Sequence, residues 1–238
     1  MVKKKWIYQK SSDIMFKDFE VFGKVFDEIT IRTLIQLRNA RLLKVIVGIV
    51  KEGKESVVCS AKDFNDNWIA LKIYRILHSD FKKMYNLLIL DPRFSRVKRD
   101  RKSIVFNWCK REYKNLVYAF KKNISVPKPL GNLNNVIVLE FIGENGIPAP
   151  QLREIKPNYE LYLEIIENLK KLKKIGLAHG DLSEYNILVH KEKPYFIDFS
   201  QGVREDCKTF KEYIEKDLER INNFFKKFLE EEKLIKEI

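Results

Sequence analysis

With 238 residues, 46 Lys and Arg against 33 Asp and Glu, and a formal charge of +13, the chain is long enough to bury a substantial core and basic enough to attract polyanions. No run approaches the ~20 apolar residues that a membrane span needs, and the start MVKKKW lacks a signal peptide's apolar core, so a cytoplasmic location with no membrane partner is expected. Cys59, Cys109 and Cys207 are odd in number and far apart, which fits reduced core thiols, and His78, His179 and His190 suggest no zinc site.

In chain order, residues 1–41 hold a lysine-rich start and a predicted helix at 27–41, expected to pack on the segment that follows. From 42 to 142 the pattern is β-rich with one long helix. The turn KEGKES at 51–56 leads into Val57 and Val58. Gly53 permits a tight turn, and the Ser56 hydroxyl with backbone N–H groups as far as Val58 offers donors to phosphate oxygens. Taken alone, such a turn is more often a plain charged hairpin. The segment IALKIY at 69–74 follows the strand pattern V-A-I-K, in which Lys72 reaches the α- and β-phosphates of a nucleotide. The plainer reading is a lysine guarding a sheet edge. Apolar neighbours on both sides favour burial, and a buried cation needs a partner. Glu112, in the helical stretch 105–120, takes that place by the same pattern, with a surface helix acid as the alternative.

Between Lys72 and Glu112 lies the most basic stretch, RFSRVKRDRKS at 93–103, which lacks apolar periodicity and is expected to be a mobile loop. VIVLEFIG at 136–143 reads as a buried strand entering a connector, where backbone groups of Glu140 and Ile142 are placed to pair with an adenine edge; an ordinary core strand fits the same residues.

From 143 to 238 the chain is mostly helical, and here the chemistry concentrates. HGDLSEYNILVHKEKPYFIDFSQ, starting at His179, puts Asp181 five residues ahead of Asn186, the spacing at which a phosphoryl-transfer loop orients its acceptor and holds Mg²⁺. Asp and Asn are common turn residues, and the pair alone recurs by chance. Its specificity rises because Asn186 opens the apolar run 187–189, a turn follows at 191–194, and a second β-prone run delivers Asp198, the position of a metal-binding aspartate. The remaining reading is a solvated hairpin. His179 is expected to brace the loop. Apolar residues at three- and four-residue steps (Phe210, Ile214, Leu218, Ile221, Phe225, Phe228, Leu229) predict one amphipathic helix over 208–235, packing under that loop. Only 40 residues follow Asp198, with no APE sequence, so the activation segment and peptide-binding helices of a conventional protein kinase are expected to be missing.

The segments GKES, IALKIYRI, DFKKM, NWCKREYKNL, LEFIGE, HGDLSEYNIL and YFIDFSQGV, in this order over about 25–225, resemble the RIO family of atypical serine/threonine protein kinases, in its first, Rio-one-like branch. The second branch carries an N-terminal winged-helix domain, for which the segment ahead of the first strand is too short. The resemblance implies an α+β, bilobal RIO fold with a β-rich small lobe at 42–142, including a flexible basic loop near 91–103, and a helical large lobe at 143–238. It implies ATP and Mg²⁺ as cofactors, with Mn²⁺ able to substitute. Lys72 would then be the phosphate lysine, Asp181 the catalytic aspartate, Asn186 and Asp198 the metal ligands. Asp198 would also be a candidate aspartyl-phosphate, and Ser95 and Ser103 candidate autophosphorylation sites. The implied role, as kinase or ATPase, is late maturation of the small ribosomal subunit, with the pre-small-subunit particle and its rRNA as partners. Glu52 and Ser56 depart from the branch's usual loop.

The basic surface fits an RNA partner, although a Lys- and Glu-rich composition also marks proteins of hot habitats. Two other readings stay open: a small kinase of the KEOPS type or a small-molecule phosphotransferase, against which SEYN and DFSQ speak, and an inactive kinase fold serving as an RNA-binding scaffold. Nothing in the sequence determines the oligomeric state.

Overall fold

The computed structural model describes residues 26–77 and 79–238, so the lysine-rich start and His78 lie outside the described residues. The chain forms two compact units, the first from the N-terminal part through Tyr85 together with Lys98–Lys110 and Pro129–Pro148, the second from Asn86–Val97, Arg111–Lys128 and Ala149–Ile238.

The first unit is built on a five-stranded antiparallel sheet: β1 (Val45–Glu52), β2 (Ser56–Lys62), β3 (Trp68–Tyr74), β4 (Pro129–Leu133) and β5 (Val136–Glu140), in the order β1-β2-β3-β5-β4. The period of two along a strand sorts its faces. Val57, Cys59 and Ala61 of β2, Ile69, Leu71 and Ile73 of β3, and Val136 and Val138 of β5 turn to one core, closed by Leu34 and Leu37 of helix α1 (Glu28–Asn39). Each buried Val, Leu or Ile among them contributes about 1.5–3 kcal/mol. Helix α1 starts where Asp27 accepts the Thr30 N–H at 2.8 Å, so the predicted 27–41 helix is one residue shorter at its start and two at its end. The fully buried Asn135 in the β4–β5 turn joins helix to sheet, its amide nitrogen donating to the Thr30 hydroxyl and the Tyr74 carbonyl, both at 2.8 Å.

In the second unit, helix α4 (Tyr159–Lys174) is capped by Asn158, whose oxygen accepts the Leu161 N–H at 2.9 Å, and ends in Lys171, Lys173 and Lys174, cations that suit a helix C-terminus. Its buried stripe of Leu161, Tyr162, Ile165, Ile166, Leu169 and Leu172 faces helix α5 (Phe210–Phe225) and short strands β6 (Leu177–Ala178) and β8 (Lys193–Phe196). Two further helices, α2 (Phe81–Ile89) and α3 (Arg101–Lys121), contribute to both units.

Two predicted elements are revised. The last helix stops at Phe225 rather than running to 235, because the chain folds back. The Tyr162 hydroxyl donates to Asn222 at 2.9 Å and accepts the Ile235 N–H at 2.7 Å, while Asn222 donates to the Ile235 carbonyl at 2.8 Å. Phe228, expected in the buried stripe, is therefore exposed. The long helix begins at Arg101, capped by Asp100 accepting the Ser103 N–H at 2.9 Å, so the end of the basic stretch is helical. No helix among the described residues is long and apolar enough to cross a membrane.

Candidate active site

In the first unit the alternation that fills the core also builds the opposite sheet face. Lys72 pairs in register with Val58 on β2 and with Ile137 on β5, and Ser56 pairs with Tyr74, so Ser56, Val58 and Lys72 share that face. Lys72 is only 7 % exposed, and its ammonium lies 5.1 Å from the Tyr74 ring centroid, a cation–π distance. The β1–β2 connection closes tightly, Gly53 N–H donating to the Ser56 carbonyl at 2.9 Å. Glu140 ends β5 opposite Ile69 and is exposed, whereas Ile142 is buried.

In the second unit, β7 (Ile187–His190) and β8 form a hairpin whose turn residues Lys191 and Glu192 both have positive φ, 50° and 63°, the geometry that matches strand twist in a two-residue turn. Phe196 pairs with Ile187, and the Ile197 N–H donates to the Asn186 carbonyl at 2.9 Å, so Asn186 and Asp198 flank the hairpin mouth. The Asn186 amide nitrogen donates to the Asp181 carbonyl at 2.8 Å, which ties Asp181 to the same place and turns the amide oxygen of Asn186 away as an acceptor. Asp198 sits in the left-handed region, φ 65° and ψ 63°, which costs roughly 1–2 kcal/mol for a residue with a Cβ. That conformation swings the chain from the hairpin into the short turn Phe199–Gln201, and buried Phe199 anchors it, its ring 4.5 Å from that of His179. Strain of this kind persists only where the surroundings impose it.

His179, with no exposure, links loop and hairpin: Nε2 lies 2.9 Å from the Ile197 carbonyl and Nδ1 accepts the Asp181 N–H at 3.3 Å, which the Nε2–H tautomer satisfies on both sides. Gly180 has φ +79°, and a Cβ there would meet the Tyr213 ring at 2.7 Å and the Gln201 carbonyl at 2.9 Å.

Two groups on α5 escaped the sequence reading. Asp217, fully buried, accepts the Gly180 N–H and the Leu182 N–H, both at 2.9 Å, and so clamps the loop on either side of Asp181. Burial pushes its carboxyl up, against the opposing pull of His179 and the two backbone donors. Its signal was legible: position 217 follows Ile214 by three on the apolar face, where a carboxylate must find donors. Arg220 donates Nη1 to Oδ1 of Asp181 at 3.0 Å, both side chains being about two-fifths exposed (43 % and 42 %). No pattern in the sequence marks that pair.

The structure thus brings Asp181, Asn186 and Asp198 together in the second unit and sets Ser56, Val58 and Lys72 on one sheet face in the first. Glu112, with no exposure, lies on the part of α3 that belongs to the second unit. Ser95 is exposed in a turn, its hydroxyl 3.4 Å from the Pro92 carbonyl, and Ser103 stands in the first turn of α3. Among the described residues no three His, Cys, Asp or Glu stand together as a metal cage. The oxygens of Asn186 and Asp198 instead fit a hard cation that completes its shell with phosphates and water, as Mg²⁺ does.

A RIO domain family model matches residues 57–238. The RIO-type serine/threonine-protein kinase Rio1 of Methanocaldococcus jannaschii is 40 % identical over 214 residues, covering 89 % of this chain and 73 % of that protein. Human serine/threonine-protein kinase RIO1 is 31 % identical over 209 residues, 85 % of this chain and 37 % of the human one. Among solved structures, the Rio2 kinase–ADP/Mg²⁺–phosphoaspartate complex of Chaetomium thermophilum superposes with a TM-score of 0.67 at 22 % identity, over 84 % of this chain and 60 % of that one, which supports the fold alone. A sheet unit and a helical unit carrying these motifs in this order, together with these relatives, show that the chain belongs to the RIO family of serine/threonine kinases, in its Rio1 branch.

Proposed function

We propose that this kinase uses ATP with Mg²⁺ to phosphorylate serine or threonine, and that it acts in the cytoplasm in late maturation of the small ribosomal subunit, with pre-ribosomal RNA as partner. The observation that carries the catalytic part is the hairpin mouth, where the Ile197 N–H bonds the Asn186 carbonyl and so sets Asn186 across from the strand end that leads to Asp198, while Asn186 holds Asp181 through a 2.8 Å bond. Mg²⁺, when bound, would supply positive charge against the phosphates. Asn186 and Asp198 would hold it. Asp181 orients the acceptor hydroxyl and takes its proton on the carboxylate. Lys72 is assigned to the α- and β-phosphates, with Glu112 as its proposed counter-ion by the kinase pattern. Ser56 and Val58 lie on the side assigned to the phosphates, and backbone groups of Glu140 and Ile142 are assigned to the adenine edge.

Likeness to the solved Rio2 complex makes Asp198 a candidate to accept the γ-phosphoryl group itself, in which case the chain works chiefly as an ATPase. Ser95 and Ser103 remain candidates for autophosphorylation, and the exposed Ser95 is the more accessible. Membership of the Rio1 branch speaks against the KEOPS-type reading. Turnover of γ-labelled ATP decides between enzyme and scaffold. Asp198→Ala is expected to abolish Mg²⁺-dependent turnover, and Asp181→Ala to lower it at least a hundredfold while leaving ATP binding in place, on the order of a general base's contribution. Wild-type turnover no higher than the background left in Asp198→Ala would be evidence for an inactive scaffold.

A further inference from the structure

The turn after Asp198 is held by a polar cluster that the chemistry above does not use. Asn115, fully buried on α3, donates its amide nitrogen to the Phe199 carbonyl at 3.1 Å and to the Gly202 carbonyl at 2.9 Å. Its amide oxygen accepts Nη2 of Arg93 at 3.0 Å. One turn earlier on the helix, Arg111, also with no exposure, donates Nη1 to the Ser200 carbonyl at 3.1 Å and Nε to Asp91 at 3.2 Å. Arg93 grips the Asp91 carboxylate with Nε at 2.9 Å and Nη2 at 2.6 Å. Three carbonyls of the segment 199–202 are therefore taken by two side chains, and both side chains are locked by the Asp91–Arg93 pair.

Such a cluster is a poor investment for stability, because taking charges out of water cancels most of what their attraction returns. What it does supply is a single geometry. The residue just ahead of the clamped carbonyls is Asp198, left-handed and strained, and strain of that kind needs surroundings that over-determine it. Outer groups that orient a ligand typically govern metal affinity by about 10- to 100-fold.

We propose that Asp91, Arg93, Arg111 and Asn115 are positioning residues for Asp198, setting metal affinity by fixing the turn that aims its carboxylate. The proposal rests on Asp198 being a metal ligand. Arg93, with a side chain 25 % exposed, is the solvent-facing end of the cluster and touches the turn only through Asn115 and Asp91.

The test uses the full chain with ADP and reads Mn²⁺ binding by electron paramagnetic resonance, with amide hydrogen exchange at 199–202 as a second readout. Asn115→Ala is expected to weaken Mn²⁺ about tenfold or more and Arg93→Gln several-fold, both with faster exchange at 199–202 and unchanged ADP affinity in the absence of metal. Should Asn115→Ala fail to fold, Arg93→Gln decides by itself. A folded variant that binds Mn²⁺ as tightly as wild type, with unchanged exchange, overturns the proposal. Failure of the underlying assignment looks different: Asp198→Ala would then bind Mn²⁺ like wild type, and both would fall.

Discussion

Asp181 has two neighbours with different consequences. Asn186 holds its backbone, whereas Arg220 holds its carboxylate at 3.0 Å. That ion pair is two-fifths exposed on both sides (43 % and 42 %), so screening leaves it worth at most about 1 kcal/mol of stability. Its use is orientation. Arg220→Ala should leave the melting temperature within about 4 °C of wild type and lower turnover roughly three- to tenfold, as misaimed reacting groups do; calorimetry beside a kinase assay separates the two. The cysteines make another residue-scale test. Burial pushes the Cys59 thiol up to about 12, Cys109 is equally buried, and Cys207 is partly open beside the Thr209 hydroxyl at 3.2 Å. Titration with a thiol reagent at pH 8 is expected to find one fast-reacting thiol in the native protein and three in denaturant, because only the exposed thiolate attacks.

Helix α5 shows how one element serves packing and chemistry together. Ile214, Leu218, Ile221 and Phe225 bury its apolar stripe, and Asp217 uses the same face to clamp the loop around Asp181. Helix α3 does likewise for the turn after Asp198, through Arg111 and Asn115. The two acids that anchor these arrangements respond oppositely to pH. For Asp91, burial alone would raise the carboxyl, but hydrogen bonds and charge from Arg93, with the charge of Arg111, hold it below the usual range. Its stabilising contribution is therefore complete above the unfolded value of about 3.9 and is lost as pH falls through the lower folded value. Asp217, raised by burial, favours the fold most when protonated, and that contribution fades as pH rises through its folded value. Asp91→Asn should accordingly flatten the loss of stability between about pH 4 and pH 2, measured as urea midpoints along that range. An unchanged slope would show that the carboxylate is not ionised in the fold.

At the scale of the whole molecule the charge of +13 sets the expectation for partners. If pre-ribosomal RNA is bound through phosphates, the dissociation constant should rise steeply with salt, losing on the order of a hundredfold or more between 50 and 200 mM for five or more phosphate contacts. Fluorescence anisotropy on a small-subunit rRNA fragment, with tRNA as competitor, checks both the slope and the preference. Equal affinity for the two RNAs would leave only nonspecific attraction.

The amino-acid sequence by itself determined the fold class, the strand carrying Lys72, the hairpin flanked by Asn186 and Asp198, and the family, because local periodicity and residue spacing are written in order along the chain. Burial of Lys72 followed from its apolar neighbours, whereas Glu112 stayed open between a lysine partner and a surface helix acid until the structure placed it with no exposure. Only the tertiary structure decided that the last helix ends at Phe225, where Tyr162 and Asn222 draw the tail back. It alone showed that Arg220 reaches Asp181 and that Asn115 holds a turn 84 and 87 residues further on. Such bonds depend on which surfaces meet, and no local pattern in a sequence encodes the partner of a polar side chain across that separation.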